Sequence, residues 1–258
     1  MLLKKLRKLT LKAAYNYIHW ANGFSYHFEK NGEKWILKAT SELGFGLIFD
    51  VGANIGAWTK EASKCFSNGE FHCFELSAET YKTLQENIRL PNVKLNNVGM
   101  SDKIGDIEYK DYGKNSTVNT LLIKTIFHDK CHSPTFKQGK VVTGSDYCAA
   151  NNIHFIDFLK IDVEGAEGSV LKAFSTLLSR ANIRLIQFEY GYANGDAHYL
   201  MRDFYEFFQQ FDYIVGQLRP NRVDFSEWSY KLNDFDSGPN YVAIHKTDTE
   251  LLTILSTK

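Results

Sequence analysis

Neither sign of charge dominates this sequence. Lys plus Arg and Asp plus Glu number 30 each among 258 residues. A nucleic-acid binder ordinarily carries a basic excess, so no nucleic-acid partner is expected. No apolar run reaches the ~20 residues that a membrane span requires. Cysteine is scarce: Cys65, Cys73, Cys131 and Cys148 include no Cys-x-x-Cys pair. That is too sparse for a disulfide scaffold and reads as reduced thiols in a cytoplasmic protein. No internal repeat is visible. The sequence also lacks Gly-x-Gly-x-x-Gly, the turn that seats a dinucleotide pyrophosphate on a helix N-terminus.

What stands in that place is Leu47-Ile-Phe-Asp-Val-Gly-Ala-Asn-Ile-Gly56. The apolar run Leu47 to Phe49 suits a buried parallel strand ending at Asp50. Gly52 lets the backbone approach a ligand, and Gly56 gives tight passage into an amphipathic helix from Ala57. Strand, glycine turn and helix together form a nucleotide-binding turn, and ligands of open α/β sheets bind at strand carboxyl ends. Here an acid precedes the turn and Asn54 sits inside it. Acids suit a ligand with an ammonium and a sulfonium and no phosphate, which describes S-adenosylmethionine (SAM). The bland alternative is an ordinary glycine-containing turn between strand and helix.

Further acids follow at the ends of later apolar segments. Glu70 to Glu75 reads as a second strand, and Glu75 lies 23 residues past Gly52, the spacing at which an acid reaches a ribose diol. Glu75 could equally serve the following helix, for which Ser77 is the N-cap. Asp102 falls just past a third strand, Asn92 to Val98. In Ile156-Asp-Phe-Leu-Lys-Ile-Asp-Val-Glu-Gly165 the residues Lys160 and Asp162 lie two apart, so an extended strand points both to one face. They form either a buried ion pair between strands or a functional pair at the cofactor cleft. Further strands run over Arg184 to Tyr190, Asp212 to Leu218 and Asn240 to Lys246. Strands alternate with helices through most of the chain, which predicts an α/β protein with a mainly parallel sheet.

Two regions fall outside this pattern. Residues 113–140 and 219–239 read as irregular and acceptor-facing. The former contains His128 and His132, an i, i+4 pair without a second ligand cluster, so no metal is expected. Residues 1–28 carry Lys4, Lys5, Arg7, Lys8 and Lys12 and no acid. Leu2, Leu6, Leu9, Ala13, Tyr17 and Trp20 share one helical face, with Lys4, Lys8 and Lys12 on another. The apolar stretch is broken by charges and shows no cleavage site, so it is not a secretory signal. This extension precedes a domain over 29–258. It either packs on that domain with a solvated basic face or lies on an anionic membrane, at the inner face of which the protein would be peripheral.

Phe49-Asp-Val-Gly-Ala-Asn-Ile-Gly56, Phe74-Glu75, Ser101-Asp102, Asp157-Phe-Leu-Lys-Ile-Asp-Val-Glu-Gly-Ala-Glu167 and Asn240-Tyr-Val-Ala243 together resemble the FkbM family of SAM-dependent methyltransferases. The resemblance runs from about Asn31 to Lys246 and departs at Leu76, where the family usually has Pro. It implies a class I methyltransferase (Rossmann-like) fold: a seven-stranded, mainly parallel sheet with the last strand antiparallel and helices on both faces. It implies O-methylation of a hydroxyl on a small-molecule or glycan acceptor. Asp50, Gly52, Asn54 and Gly56 would then cradle the methionine part, Glu75 the ribose, and Ser101 with Asp102 the adenine edge. Asp162 would line the transfer site with Glu164 beside it. Asp162 is the first candidate to accept the hydroxyl proton, Glu164 the second and His198 the third. A nicotinamide-dependent oxidoreductase and a SAM-binding module without turnover are the competing readings.

Overall fold

The computed structural model describes residues 2–126, 129 and 133–256. In chain order α1 (Leu2–Ala21) and α2 (Glu33–Ala39) precede β1 (Leu47–Val51), α3 (Ala57–Cys65), β2 (Glu70–Phe74), α4 (Ala78–Asn87) and β3 (Val93–Asn96). Next come β4 (Gly99–Met100), β5 (Gly105–Asp111), β6 (Thr135–Val142), α5 (Gly144–Ala150), β7 (Ile156–Ile161), α6 (Glu167–Ala173), α7 (Ser175–Leu178) and β8 (Ile183–Glu189). The chain closes with α8 (Tyr192–Asp196), α9 (Met201–Gln209), β9 (Tyr213–Arg219), β10 (Arg222–Phe225), β11 (Asn240–His245) and α10 (Thr249–Ser256).

The main sheet has the order β10-β9-β11-β8-β7-β1-β2-β3. β3, β2, β1, β7 and β8 are parallel, and β11 inserts antiparallel between β8 and β9. This is the class I methyltransferase arrangement, including its antiparallel last strand. Both faces of the sheet are buried, which is why the central strands read as unbroken apolar runs. Ile48, Phe158 and Leu185 pack with Ile36, Trp58, Leu84 and Leu251 on one face. Their neighbours Phe49, Leu159 and Ile186 pack with Val170, Phe174, Phe204 and Phe208 on the other.

The main sheet has eight strands rather than seven. β10 folds back on β9 as a hairpin, within a segment that reads as loop because four residues are too few to show a period. β6 is a second departure. It pairs antiparallel with β5 and parallel with β4 in a separate three-stranded sheet, although residues 113–140 show no alternation. Most of β6 is exposed or half-buried, so it needs no apolar face to hold it. His128, Cys131 and His132 lie outside the described residues. Cys65, Cys73 and Cys148 are free thiols.

Candidate active site

The strand order reverses between β1 and β7, the place where an open α/β sheet leaves a crevice at its strand ends. A cavity of about 670 Å³ opens there, within the usual range for small-molecule sites. Glu33, Glu75, Asp162, Glu164, Glu167 and Glu189 line it, and among the described residues no Lys or Arg does.

On the β1–β2 side the wall is built from backbone. Gly52 has a φ of 84°, and a Cβ there would lie 1.8 Å from the Asp162 carbonyl oxygen. Only glycine permits this crossing. The N–H groups of Gly52 and Ala53 both donate to the Phe74 carbonyl at 3.0 Å, tying the end of β1 to that of β2. Asn54 adopts a left-handed φ of 49°, which Asn tolerates better than most residues. Its side chain donates to the Ser116 carbonyl at 2.8 Å, and its backbone N–H donates to Glu75 Oε2 at 3.0 Å. Glu75 Oε1 accepts from the Ser77 N–H at 2.8 Å. Burial pushes the Glu75 carboxyl up to about 7 although these two N–H groups favour its ionised form. Ser77 also caps α4, accepting from the Thr80 N–H.

Four residues expected at the ligand lie elsewhere. Asp50 is fully buried, one residue short of the strand end. The parallel register sets it opposite Lys160, and it accepts from the Thr59 hydroxyl at 2.6 Å and lies 3.4 Å from Lys160 Nζ. Asp50 is therefore a support beneath the site. At Gly56 a Cβ would meet Ile88 and Leu84, so this glycine serves the packing of α3 on α4. Ser101 is buried and Asp102 exposed, and both hydrogen-bond Ser169 of α6. Their neighbours Gly99 and Met100 line the cavity instead. His198 is exposed and does not line it either.

On the β7–β8 side the wall is built from charge. The buried Lys160 Nζ lies 3.2 Å from Asp162 Oδ2, beside Asp50 and 5.7 Å from the Trp58 ring centroid. Burial alone would lower its affinity for a proton, but Asp162, Asp50 and Glu33 outweigh that, and it stays charged. Carboxylate oxygens of Asp162, Glu164 and Glu189 come within 4.8 Å of one another. Burial, followed by the charges of Asp162 and Glu164, raises the Glu189 carboxyl well above the usual range. Burial also pushes Asp162 up, but Lys160 and a hydrogen bond with Glu189 more than reverse this and hold it low. Glu189 therefore keeps a proton and donates it toward an ionised Asp162, the sharing expected of close carboxyl groups. Glu164 has a left-handed φ of 54°, strained for a residue with a side chain, and Gly165 beside it has one of 98°; both line the cavity.

Two parts of the wall escape the sequence reading. Glu189 is visible as a strand-end acid, but its pairing with Asp162 depends on β8 lying beside β7. Tyr26, Asn31 and Glu33 enter from the segment before β1. Glu33 accepts from Gln187 at 2.9 Å. Ser116 to Leu121, within the segment expected to face the acceptor, form the opposite rim, held by the Thr120 hydroxyl on the Glu164 carbonyl at 2.8 Å.

These features fit S-adenosylmethionine. Gly52 and Asn54 line the cavity, Glu75 presents a fixed carboxylate to it, and an acid-rich wall suits a sulfonium and an ammonium. Residues 50–215 match the family model described as the methyltransferase FkbM domain. The hexuronic acid methyltransferase AglP of Haloferax volcanii is 27% identical over 154 residues, and the match covers 56% of each chain. The chain thus spans about half the length of that relative. Among solved structures, a methyltransferase FkbM from Methylobacillus flagellatus matches with a TM-score of 0.46 at 16% identity, over 78% of this chain and 44% of that one. An O-methyltransferase from Bacillus cereus in complex with SAH matches with a TM-score of 0.46 at 12% identity, over 92% and 90% of the two chains. The family match spans well over half of the sequence, and the chain belongs to the FkbM methyltransferase family.

Proposed function

We propose that this protein transfers a methyl group from S-adenosylmethionine to a hydroxyl of a sugar, glycan or other hydroxylated metabolite. The observation that carries the reading is a cavity lined by six acids and by no Lys or Arg among the described residues. AglP, a hexuronic acid methyltransferase, supports a sugar as the acceptor class. A substrate carboxylate at the transfer site, however, would face Asp162 and Glu164, and among the described residues no Lys or Arg lines the cavity to bind it. A neutral hydroxyl avoids that cost.

When bound, the cofactor supplies a methyl group on a sulfonium that leaves as a neutral thioether. Glu75 would accept hydrogen bonds from its ribose hydroxyls, and the backbone at Gly52 and Asn54 would hold its amino-acid part. Asp162, kept ionised by Lys160, accepts the proton of the acceptor hydroxyl. Glu189 holds Asp162 in place through their shared proton, and Glu164 flanks the acceptor. Alignment of the hydroxyl by these groups supplies much of the acceleration, and proton acceptance contributes roughly two to four orders of magnitude.

The test is an acceptor screen with methyl-labelled S-adenosylmethionine on neutral sugars, lipid-linked sugars and free hexuronates. Label in an alkali-stable ether on a neutral sugar is expected. Label solely in an alkali-labile ester on the hexuronate would contradict transfer to a hydroxyl.

A further inference from the structure

The chemistry of the cavity uses none of α1, yet this helix has an unusual surface. Leu3 is 82% exposed, Leu6 60%, Leu9 58%, Tyr17 66% and Trp20 75%. At roughly 100° per residue these side chains fall on one broad side of the helix, with Lys4, Lys8 and Lys12 on the opposite side, where Leu11 and Tyr15 are also exposed. Residues 1–28 hold five cations and no acid. No described helix is long and apolar enough to cross a membrane. An apolar stripe of this extent with none of the described residues over it marks an interaction surface. The charge decides what covers it. A second copy of α1 would add five more cations and no acid near the first five, whereas an anionic lipid surface supplies both the opposite sign and an apolar layer.

The root of α1 is fixed at the cavity rim. His19 Nε2 lies 3.5 Å from Asp236 Oδ1, and its ring stacks on Phe24 at 4.5 Å. Arg219 donates to the Asn22 carbonyl. The same Asp236 Oδ1 accepts from the Tyr192 hydroxyl at 2.9 Å, and Tyr192 lines the cavity. His19 projects roughly opposite to Leu6 around the helix, so the side tied to the domain is not the apolar one.

We propose that α1 lies along an anionic lipid surface with its apolar side in the headgroup layer, and that its root holds the cavity rim beside that surface. The acceptor is then a sugar presented at the membrane; this last step rests on the methyl-transfer reading, whereas lipid docking does not. The test is co-sedimentation of the full chain with vesicles of equal phosphatidylglycerol and phosphatidylcholine, against pure phosphatidylcholine, with no turnover measured. Binding to the anionic vesicles should be about tenfold or more the stronger. The triple variant Lys4→Glu, Lys8→Glu, Lys12→Glu should lose about as much, and so should Leu6→Asp with Trp20→Asp. Melting temperature and S-adenosylmethionine affinity should be unchanged in both. Absence of vesicle binding, or equal binding by the variants, would overturn the proposal. So would a wild-type dimer in light scattering that Leu6→Asp with Trp20→Asp converts to monomer, since a second copy would then cover the stripe.

Discussion

The two sides of the cavity hold their acids in opposite ways. On the β1–β2 side Glu75 is clamped by the N–H groups of Asn54 and Ser77. Its partners are backbone, and they do not change with pH or ligand. On the β7–β8 side Asp162, Glu164 and Glu189 hold one another, with Lys160 beneath. Their arrangement depends on where one proton sits. The first construction suits recognition, because a fixed acceptor can be matched by fixed hydroxyls. The second suits chemistry, because a proton can move there without rearranging the fold.

The sharpest break of this contrast comes at Asp162. Asp162→Asn should lower turnover by about two to four orders of magnitude while cofactor affinity stays within about threefold of wild type. Lys160 keeps Asp50 at 3.4 Å, so the fold should survive. Glu189→Gln retains a donor toward Asp162 and should cost about tenfold. Melting temperature, dissociation constant and rate measured on one preparation separate the outcomes. A large fall in melting temperature with undiminished turnover would make Asp162 structural and move the base to Glu164.

On the other side, Glu75→Ala should weaken S-adenosylmethionine by roughly 1.5–3 kcal/mol, the range for hydrogen bonds to a charged group. Hydroxyl donors favour the ionised carboxylate, and burial sets Glu75 near 7 in the free protein. Wild-type affinity should therefore rise between about pH 6 and pH 8, with proton release on binding, and the variant should lose that slope. A titration series at several pH values checks both. Unchanged affinity in a folded variant would mean that the ribose is held elsewhere. The smallest effect is at Glu164, whose left-handed φ of 54° is strained. Glu164→Gly should stabilise the ligand-free protein by about 1 kcal/mol, a rise of roughly 2–4 °C in melting temperature.

The same contrast governs what the sequence reveals. The β1–β2 side is local: Gly52, Asn54 and Glu75 belong to one strand-turn-helix-strand unit whose spacing carries its geometry. Asp50 belongs to that unit too, yet its role was not legible. The partner that draws it inward is Lys160, 110 positions away, and only the β1–β7 register brings the two together. Glu189 reaches Asp162 because β8 lies beside β7. Glu33 reaches the cavity because α2 packs on the sheet face that also carries α3 and α10. β6 stayed hidden because a half-exposed strand in a three-stranded sheet needs no alternation. The fold class, which rests on the alternation of apolar strands with amphipathic helices, was legible in nearly every element.

The central claim is that the crevice between β1 and β7 is a site for S-adenosylmethionine. It is tested most directly by calorimetric titration of the full chain with S-adenosylmethionine, S-adenosylhomocysteine and NAD under one set of conditions. The account predicts saturable binding of the first two at one site per chain and no detectable heat with NAD. Tight NAD binding with no response to S-adenosylmethionine would contradict it.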